Sequence, residues 1–442
     1  MNMERLFHNI LKPTLGCTEP VAIALAVSAA GQATAGWYPD GEPLPLVGIP
    51  VSAVESVTLR VNKNVFKNCF SIYIPNTQGH KGIQMAAALG IFCDPRRQLE
   101  VFSDITPEHT RQAQALIQSG VVRVEVVSAP YTDLFIEADV VIVSDAGPVR
   151  GSCRIQDQHT KFSLIRRNEQ ELFRLEGLSE SPEEPDDDQK ELMKMDIADL
   201  LTLVSHLPAP VHDLIHKTID MNRKASDVGL LEPMGLGTGY YESVEKGDLI
   251  TYLASVAAAG SDARMSGYTV EVMSSAGSGN QGIIATMPIV AYAERAGLDE
   301  DTMIRAVALS HLVTMYITLY VGYLSALCGV AIKAGIGAAC GVAYAMGGRG
   351  EEIGRAVKIM AATLSGMVCD GAKPGCALKV GSSADMAVRA ASLAIKKMEV
   401  SDDNGIVAKT AEETIRNLAE LSHSMDVVDQ KIIQIMNEKI RR

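Results

Sequence analysis

The sequence predicts an α+β protein: a large all-α domain with a smaller mixed α/β domain inserted after the N-terminal helices. Three observations carry this. Between about 47 and 180, apolar and polar residues alternate, as in Glu55–Asn62 and Phe70–Pro75, and this is the period of a half-buried strand. Beyond residue 190 the alternation stops and the apolar residues recur at helical spacing. With 442 residues, 47% apolar and 21% charged, the chain is too long for one core and too apolar to be disordered.

Taken in order, residues 1–46 read as two helices, about Met3–Leu11 and Glu19–Ala33, which join the all-α domain. Ahead of the second lies "LGCTEP", where Thr18 suits an N-cap and Pro20 a first helical turn. The mixed domain, 47–180, has strands at Val57–Val61, Phe70–Ile74, 121–127 and 139–145, with helices at 82–92 and 107–120 between them. The acidic, proline-bearing stretch "SESPEEPDDDQK" reads as a solvated segment, and 181–190 as the linker. Residues 191–442 are a series of helices, the penultimate one opened by a capping box at Thr410–Glu413. The 21-residue uncharged run Leu312–Ile332 is long enough to span a bilayer. It has no second clear span beside it and no aromatic belt, so it is expected to be a helix buried all round. A non-enzymatic, membrane-associated helical protein is the rival reading of that segment.

Net charge is −13, and no basic run exceeds the terminal "IRR". Nucleic acid and anionic membrane surfaces are therefore poor partners, which leaves a small-molecule substrate. Homo-oligomerisation is left open. The N-terminal segment lacks the apolar stretch of a signal peptide, so a cytoplasmic location is expected. In that compartment eight cysteines are better read as thiols, metal ligands or nucleophiles than as disulfides.

Four features could carry chemistry. Cys17 stands just ahead of a helix start, where the positive end of the macrodipole favours thiolate; it is either a reactive thiol or a small buried residue. In "CDGAKPGC", Cys369 and Cys376 face each other across a short loop, as two ligands of one metal centre or as two unrelated turn cysteines. Cys328, read as lying inside the long buried helix, raises the candidate ligand count to three, with Cys340 one helical stretch further on. Three thiolates on a [4Fe–4S] cluster would leave one iron open as a Lewis acid, whereas structural sites normally close with four ligands. The third feature is "SSAGSGNQG", Ser274–Gly282, preceding a helix. Ser278, Asn280 and Gln281 there suit an anion such as an amino-acid carboxylate. A similar loop occurs in pyridoxal-phosphate lyases, but the nearest upstream lysine is Lys246 and no α/β scaffold follows. The fourth, His212 and His216 at helical spacing, has Asp213 where a zinc protease would carry glutamate, and reads as a half-exposed helix face. The turn 75–82 is expected to approach the site from the α/β domain.

The motifs "LGCTEPVAIALA", "SSAGSGNQGI", "LCGVAIKAGIGAACG" and "CDGAKPGCALK", in this order over nearly the whole chain, resemble the L-cysteine desulfidase family. That family shares its helical catalytic region with the iron–sulfur L-serine dehydratase α chain. The resemblance implies a [4Fe–4S] lyase that converts L-cysteine to pyruvate, sulfide and ammonia. It implies Cys328, Cys369 and Cys376 as cluster ligands and Cys17 as the catalytic base, with no role for Cys340. The serine dehydratases carry a glutamine- and glutamate-bearing motif around the first cluster cysteine. Here Cys328 is followed by Gly-Val-Ala, and the chain ends in "NEKIRR". Both departures point toward L-cysteine, with L-serine dehydratase as the alternative.

Overall fold

A computed structural model describes residues 1–39, 41, 44–127, 134–145, 147–176, 184–244 and 248–440. It has a six-stranded mixed sheet and a large helical body. The sheet runs in the order Val122–Val126, Val54–Val61, Phe135–Ser144, Gly147–Gln156, Phe162–Arg167, Gln170–Arg174. Only the first pair is parallel. Parallel pairing needs a crossover, and the helices Ile83–Gly90 and Pro107–Gln118 lie within it.

The helix Thr18–Ala33 was expected to join the helical domain. Instead it packs on the sheet, and every residue from Glu19 to Ala33 is buried. Its composition explains this: it is apolar on all sides and needs cover on all sides. Met3–Ile10 does join the helical core, through Leu6, Phe7 and Ile10. The last helix, Asp426–Ile440, packs against the α/β core through Met436, and Asp429 pairs with the buried Lys67 at 2.7 Å.

Three further expectations change. Phe70–Ile74 is not a strand; only an isolated bridge, Tyr73 to Lys81, forms there. Of the expected linker at 181–190, residues 181–183 lie outside the described residues. Asp187–Leu192 is a helix opened by a capping box at Asp186, and it is pinned to the N-terminus by Arg5–Asp188 at 2.5 Å. The long helix is Glu300–Val321, not a span reaching Ile332. It stops at Gly322, whose φ of 93° leaves the helical region. This is the one described helix long and apolar enough to cross a membrane, and 83% of its most apolar stretch is buried in the fold.

The two cores meet at a third, small cluster. Cys17, Ile72 and Met265 are buried there, with Ala372 and Cys376 packed against them. A two-stranded antiparallel ladder fixes the junction, pairing Pro13–Leu15 with Glu271–Met273. It places the residues just before Cys17 beside those just before the Ser274–Gly282 loop.

Candidate active site

Cys17 is itself the N-cap of Thr18–Ala33, in extended conformation, so Thr18 is the first helical residue. Its thiol makes no capping bond. It donates to Glu19 Oε2 at 2.9 Å, while Asn68 Nδ2 donates to Glu19 Oε1 at 2.8 Å. Burial, and then the charge on Glu19, push the Cys17 thiol well above the ordinary range. The sequence-based expectation of a lowered value does not hold, because desolvation outweighs the helix dipole. Burial works against Glu19 as well, but His159 and the two hydrogen bonds together hold its carboxyl below the usual range. Burial holds His159 down in turn, and its Nε2 is buried without a partner.

Across the junction, Arg264 is 5% exposed. Its charge favours ionisation of Cys17. Its Nη1 donates to Asn280 Oδ1 at 3.1 Å and lies 3.2 Å from Met265 Sδ; its Nε is buried without a partner. The guanidinium lies against Gly279, the first residue of the helix Gly279–Ala296, where any Cβ would collide with Nε. Ser278 caps that helix, its hydroxyl accepting from Gln281 N at 3.5 Å. The loop ahead of the cap is held by His311 Nδ1, 2.9 Å from Ser275 Oγ, and by Asn222 Oδ1, which accepts from Met273 N at 2.9 Å. Gln281 Oε1 is buried and unpaired.

The cysteines come next. Cys328 does not sit inside a long helix; it is the N-cap of the short helix Gly329–Ile332. Leu327 bridges to Val368, with Cys328 N donating to Met367 O and Cys369 N to Ala326 O, each at 2.7 Å. The two cysteine-bearing segments therefore lie side by side. Cys376 opens the helix Cys376–Ile395. Burial pushes the Cys328 thiol up to about 12; the charges of Cys369 and Cys376 add to this and Lys379 opposes it. Burial also raises Cys376. Lys379 and Lys373 both bond Asp370, the latter at 2.5 Å, and bring positive charge to the thiols. The turn between the two cysteines needs a glycine at 371. Its φ is 88°, and a Cβ would collide with the Lys67 carbonyl oxygen of the α/β core.

These groups form a ring. Cys17 touches the Cys376 surroundings; Cys376, Cys369 and Cys328 lie close enough for their charges to interact. A Cβ on Gly329, next to Cys328, would lie 3.1 Å from Gln281 Nε2. Asn280 holds Arg264, and Arg264 returns to Cys17. The structure thus gathers Cys17, Asn280, Gln281, Cys328, Cys369 and Cys376, with the Ser278 hydroxyl engaged in capping. Cys340 stays apart inside Ala334–Ala345. Cys69 is buried within reach of the Cys17 and Glu19 charges. Glu19, Asn68, His159, Arg264 and Lys379 were missed from sequence. The available signal was a glutamate in an otherwise apolar helix and an arginine in the Ala-rich run before "MSG". The turn 75–82 does reach the junction, since a Cβ on Gly16 would lie 3.1 Å from Pro75 Cγ. A cavity of about 280 Å³ opens beside it, lined by Ile74, Asn76, Gln78, Met234, Ser266 and Tyr268. His216 lies half-exposed on the surface, 3.3 Å from both Asp220 and Glu300. Lys246 lies outside the described residues.

All eight cysteines are free thiols. Among the described residues, no three His, Cys, Asp or Glu side chains converge on a single-ion site. The chemistry of the donor set, three thiols with two at helix starts and the charges of Lys373 and Lys379 near them, is compatible with an iron–sulfur centre.

This is an α+β fold in which thiols and a helix start gather at a buried junction. The pattern of the serine dehydratase alpha chain family matches residues 96–434, which takes in the three cysteines and the 278–281 loop and begins after Cys17. UPF0597 proteins are similar over the whole length. That of Desulfatibacillum aliphaticivorans is 36% identical, covering 97% of this chain and 96% of its own. That of Clostridium tetani is 36% identical, with 99% and 100% covered. That of Alkaliphilus metalliredigens is 35% identical, with 98% and 95% covered. The chain belongs to the serine dehydratase alpha chain family.

Proposed function

We propose that this protein is a cytoplasmic iron–sulfur lyase that eliminates sulfide from L-cysteine, giving pyruvate and ammonia. The observation that supports it best is the ring itself: one candidate base, one anion-binding helix start and three thiols around a single buried junction. Cys328, Cys369 and Cys376 would hold a [4Fe–4S] cluster, which when bound supplies a Lewis-acidic iron with no protein thiolate on it.

The start of Gly279–Ala296 presents backbone N–H groups and the Asn280 and Gln281 side chains to the substrate carboxylate. Positive charge there stabilises the electrons left on the α-carbon as its proton departs. Cys17 Sγ takes that proton. The thiol must first be ionised, which the Arg264 charge favours and which burial and the Glu19 carboxylate oppose. Loss of the α-proton and of sulfide leaves aminoacrylate, which tautomerises and hydrolyses to pyruvate and ammonia. The backbone of L-serine is the same, so leaving-group preference separates the two substrates.

The test is anaerobic purification, iron and labile-sulfide analysis, and kcat/KM for L-cysteine and L-serine by pyruvate release. Iron near four per chain with preference for L-cysteine supports the reading. Preference for L-serine makes the protein a dehydratase, and absence of iron overturns both.

A further inference from the structure

We infer that the junction is built to receive a zwitterion, with Arg264 taking an α-carboxylate and Glu19 an α-ammonium group. This deepens the amino-acid lyase reading above and rests on it. The observation is a pair of opposite buried charges that do not meet. Glu19 is 7% exposed and Arg264 5%. Among the described residues neither has an ion-pair partner within 4.0 Å, and they do not pair with each other. Removing a charge from water without a counter-charge is costly. Elsewhere in the same fold that cost is met in the ordinary way: Lys67, 2% exposed, lies 2.7 Å from Asp429, 5% exposed.

Cys17 senses both charges, the carboxylate opposing its ionisation and the guanidinium favouring it. The geometry agrees: Glu19 Oε2 accepts from the thiol at 2.9 Å, and Arg264 Nη1 lies 3.2 Å from Sδ of Met265, which packs with Cys17. An α-amino acid carries its two charges on a single carbon, and that carbon bears the proton Cys17 is proposed to remove. The arrangement is furnished on each side. Arg264 keeps a buried, unpartnered Nε and lies along the glycine that opens Gly279–Ala296, so guanidinium and helix N-terminus act on the same anion. Gln281 Oε1, also buried and unpaired, is available to the same ligand. Glu19 accepts from Cys17 and Thr18 on Oε2 and from Asn68 on Oε1, and Oε1 retains a lone pair for an ammonium group. Of the other titratable groups near Glu19, burial holds the Cys69 thiol toward its neutral form and His159 toward neutral imidazole, so neither supplies a fixed cation. A ligand with one charge fills half of this site and leaves the other half uncompensated, which is the strongest form of rejection a polar pocket offers.

The experiment measures binding and does not depend on turnover. Calorimetry on the anaerobically purified protein compares L-alanine, which has no leaving group, with propionate, which lacks the ammonium, and ethylamine, which lacks the carboxylate. Wild type should bind L-alanine about ten- to a hundredfold more tightly than either fragment. Glu19→Gln should weaken L-alanine by a similar factor and leave propionate unchanged. Arg264→Gln should weaken L-alanine and propionate and leave ethylamine unchanged. Equal affinity of wild type for all three ligands overturns the inference even if neither variant folds. So does a uniform loss across the ligands in folded variants, which is what a merely structural role would give. A protein that eliminates sulfide from L-cysteine yet fails this pattern sinks the zwitterion site alone. One that meets the pattern without elimination sinks the lyase reading alone.

Discussion

Replacing Cys17 separates chemistry from architecture because its thiol has few structural duties. It is 6% exposed and makes one side-chain hydrogen bond, to Glu19 Oε2 at 2.9 Å. Cys17→Ala forfeits that bond to a charged acceptor, worth about 1.5–3 kcal/mol, while Glu19 retains its bond from Asn68. The structural cost is thus a few kcal/mol at most, and the fold should survive. The catalytic cost should be larger in effect: a positioned base contributes roughly 10²–10⁴-fold, or about 3–5.5 kcal/mol of barrier. Cys17→Ser sharpens the comparison. Its hydroxyl can restore the bond to Glu19, and with it the stability, but it is far too weak an acid to serve as the base. The assays are anaerobic pyruvate release, thermal unfolding, iron content and exchange of the α-proton of bound L-cysteine in deuterated solvent. Both variants should keep their iron and lose turnover and exchange, with serine melting nearer wild type. Iron loss in either would make Cys17 a ligand. Near-normal turnover in the serine variant would mean that the thiol only orients Glu19, and the base assignment would fall.

Serine in place of Cys328, Cys369 or Cys376 should remove most of the bound iron and all activity, whereas Cys340→Ser should keep both; full iron in Cys369→Ser would refute the ligand set. Gly371→Ala should lower the thermal midpoint and iron retention together. It forces a left-handed backbone, at about 1–2 kcal/mol, and a collision with the Lys67 carbonyl that adds about 1–3 kcal/mol, so an unchanged melt would contradict the docking of the cysteine loop. Asp262, which accepts from Gly239 N at 2.9 Å, is raised by burial from 3.8 to about 6. Because the folded value lies above the unfolded one, its contribution is fully present below about pH 4 and lost as pH rises through 6, by up to roughly 3 kcal/mol. Denaturant titrations should therefore show wild type losing stability relative to Asp262→Asn across that interval, and parallel pH curves would refute the assignment.

The strand alternation at Val57–Val61 was legible because a strand with one buried face repeats every two residues, whereas the same pattern at Phe70–Ile74 marks only the isolated bridge of Tyr73 to Lys81. The late helices were legible for the same local reason, as were the cysteine motifs and the glycine-rich helix start, which are contiguous in sequence. What was misread depended on neighbours. The run through Leu312–Ile332 looks like one helix, yet Gly322 ends it and frees Cys328 to cap a new turn beside Cys369. The helix after Cys17 is apolar on all sides, so its pattern could not say which core would cover it. The sign of the Cys17 shift followed the same division. The helix start is written in the residues around it, but the burial that outweighs the dipole comes from Ile72, Met265 and Cys376, brought in from three other stretches of chain. The sequence by itself marked the cysteines and the glycine-rich helix start as groups that could do chemistry. Tertiary structure alone decided that the charges of Glu19 and Arg264 both reach Cys17, because Arg264 lies far along the chain and only the fold brings its neighbour Met265 against that cysteine.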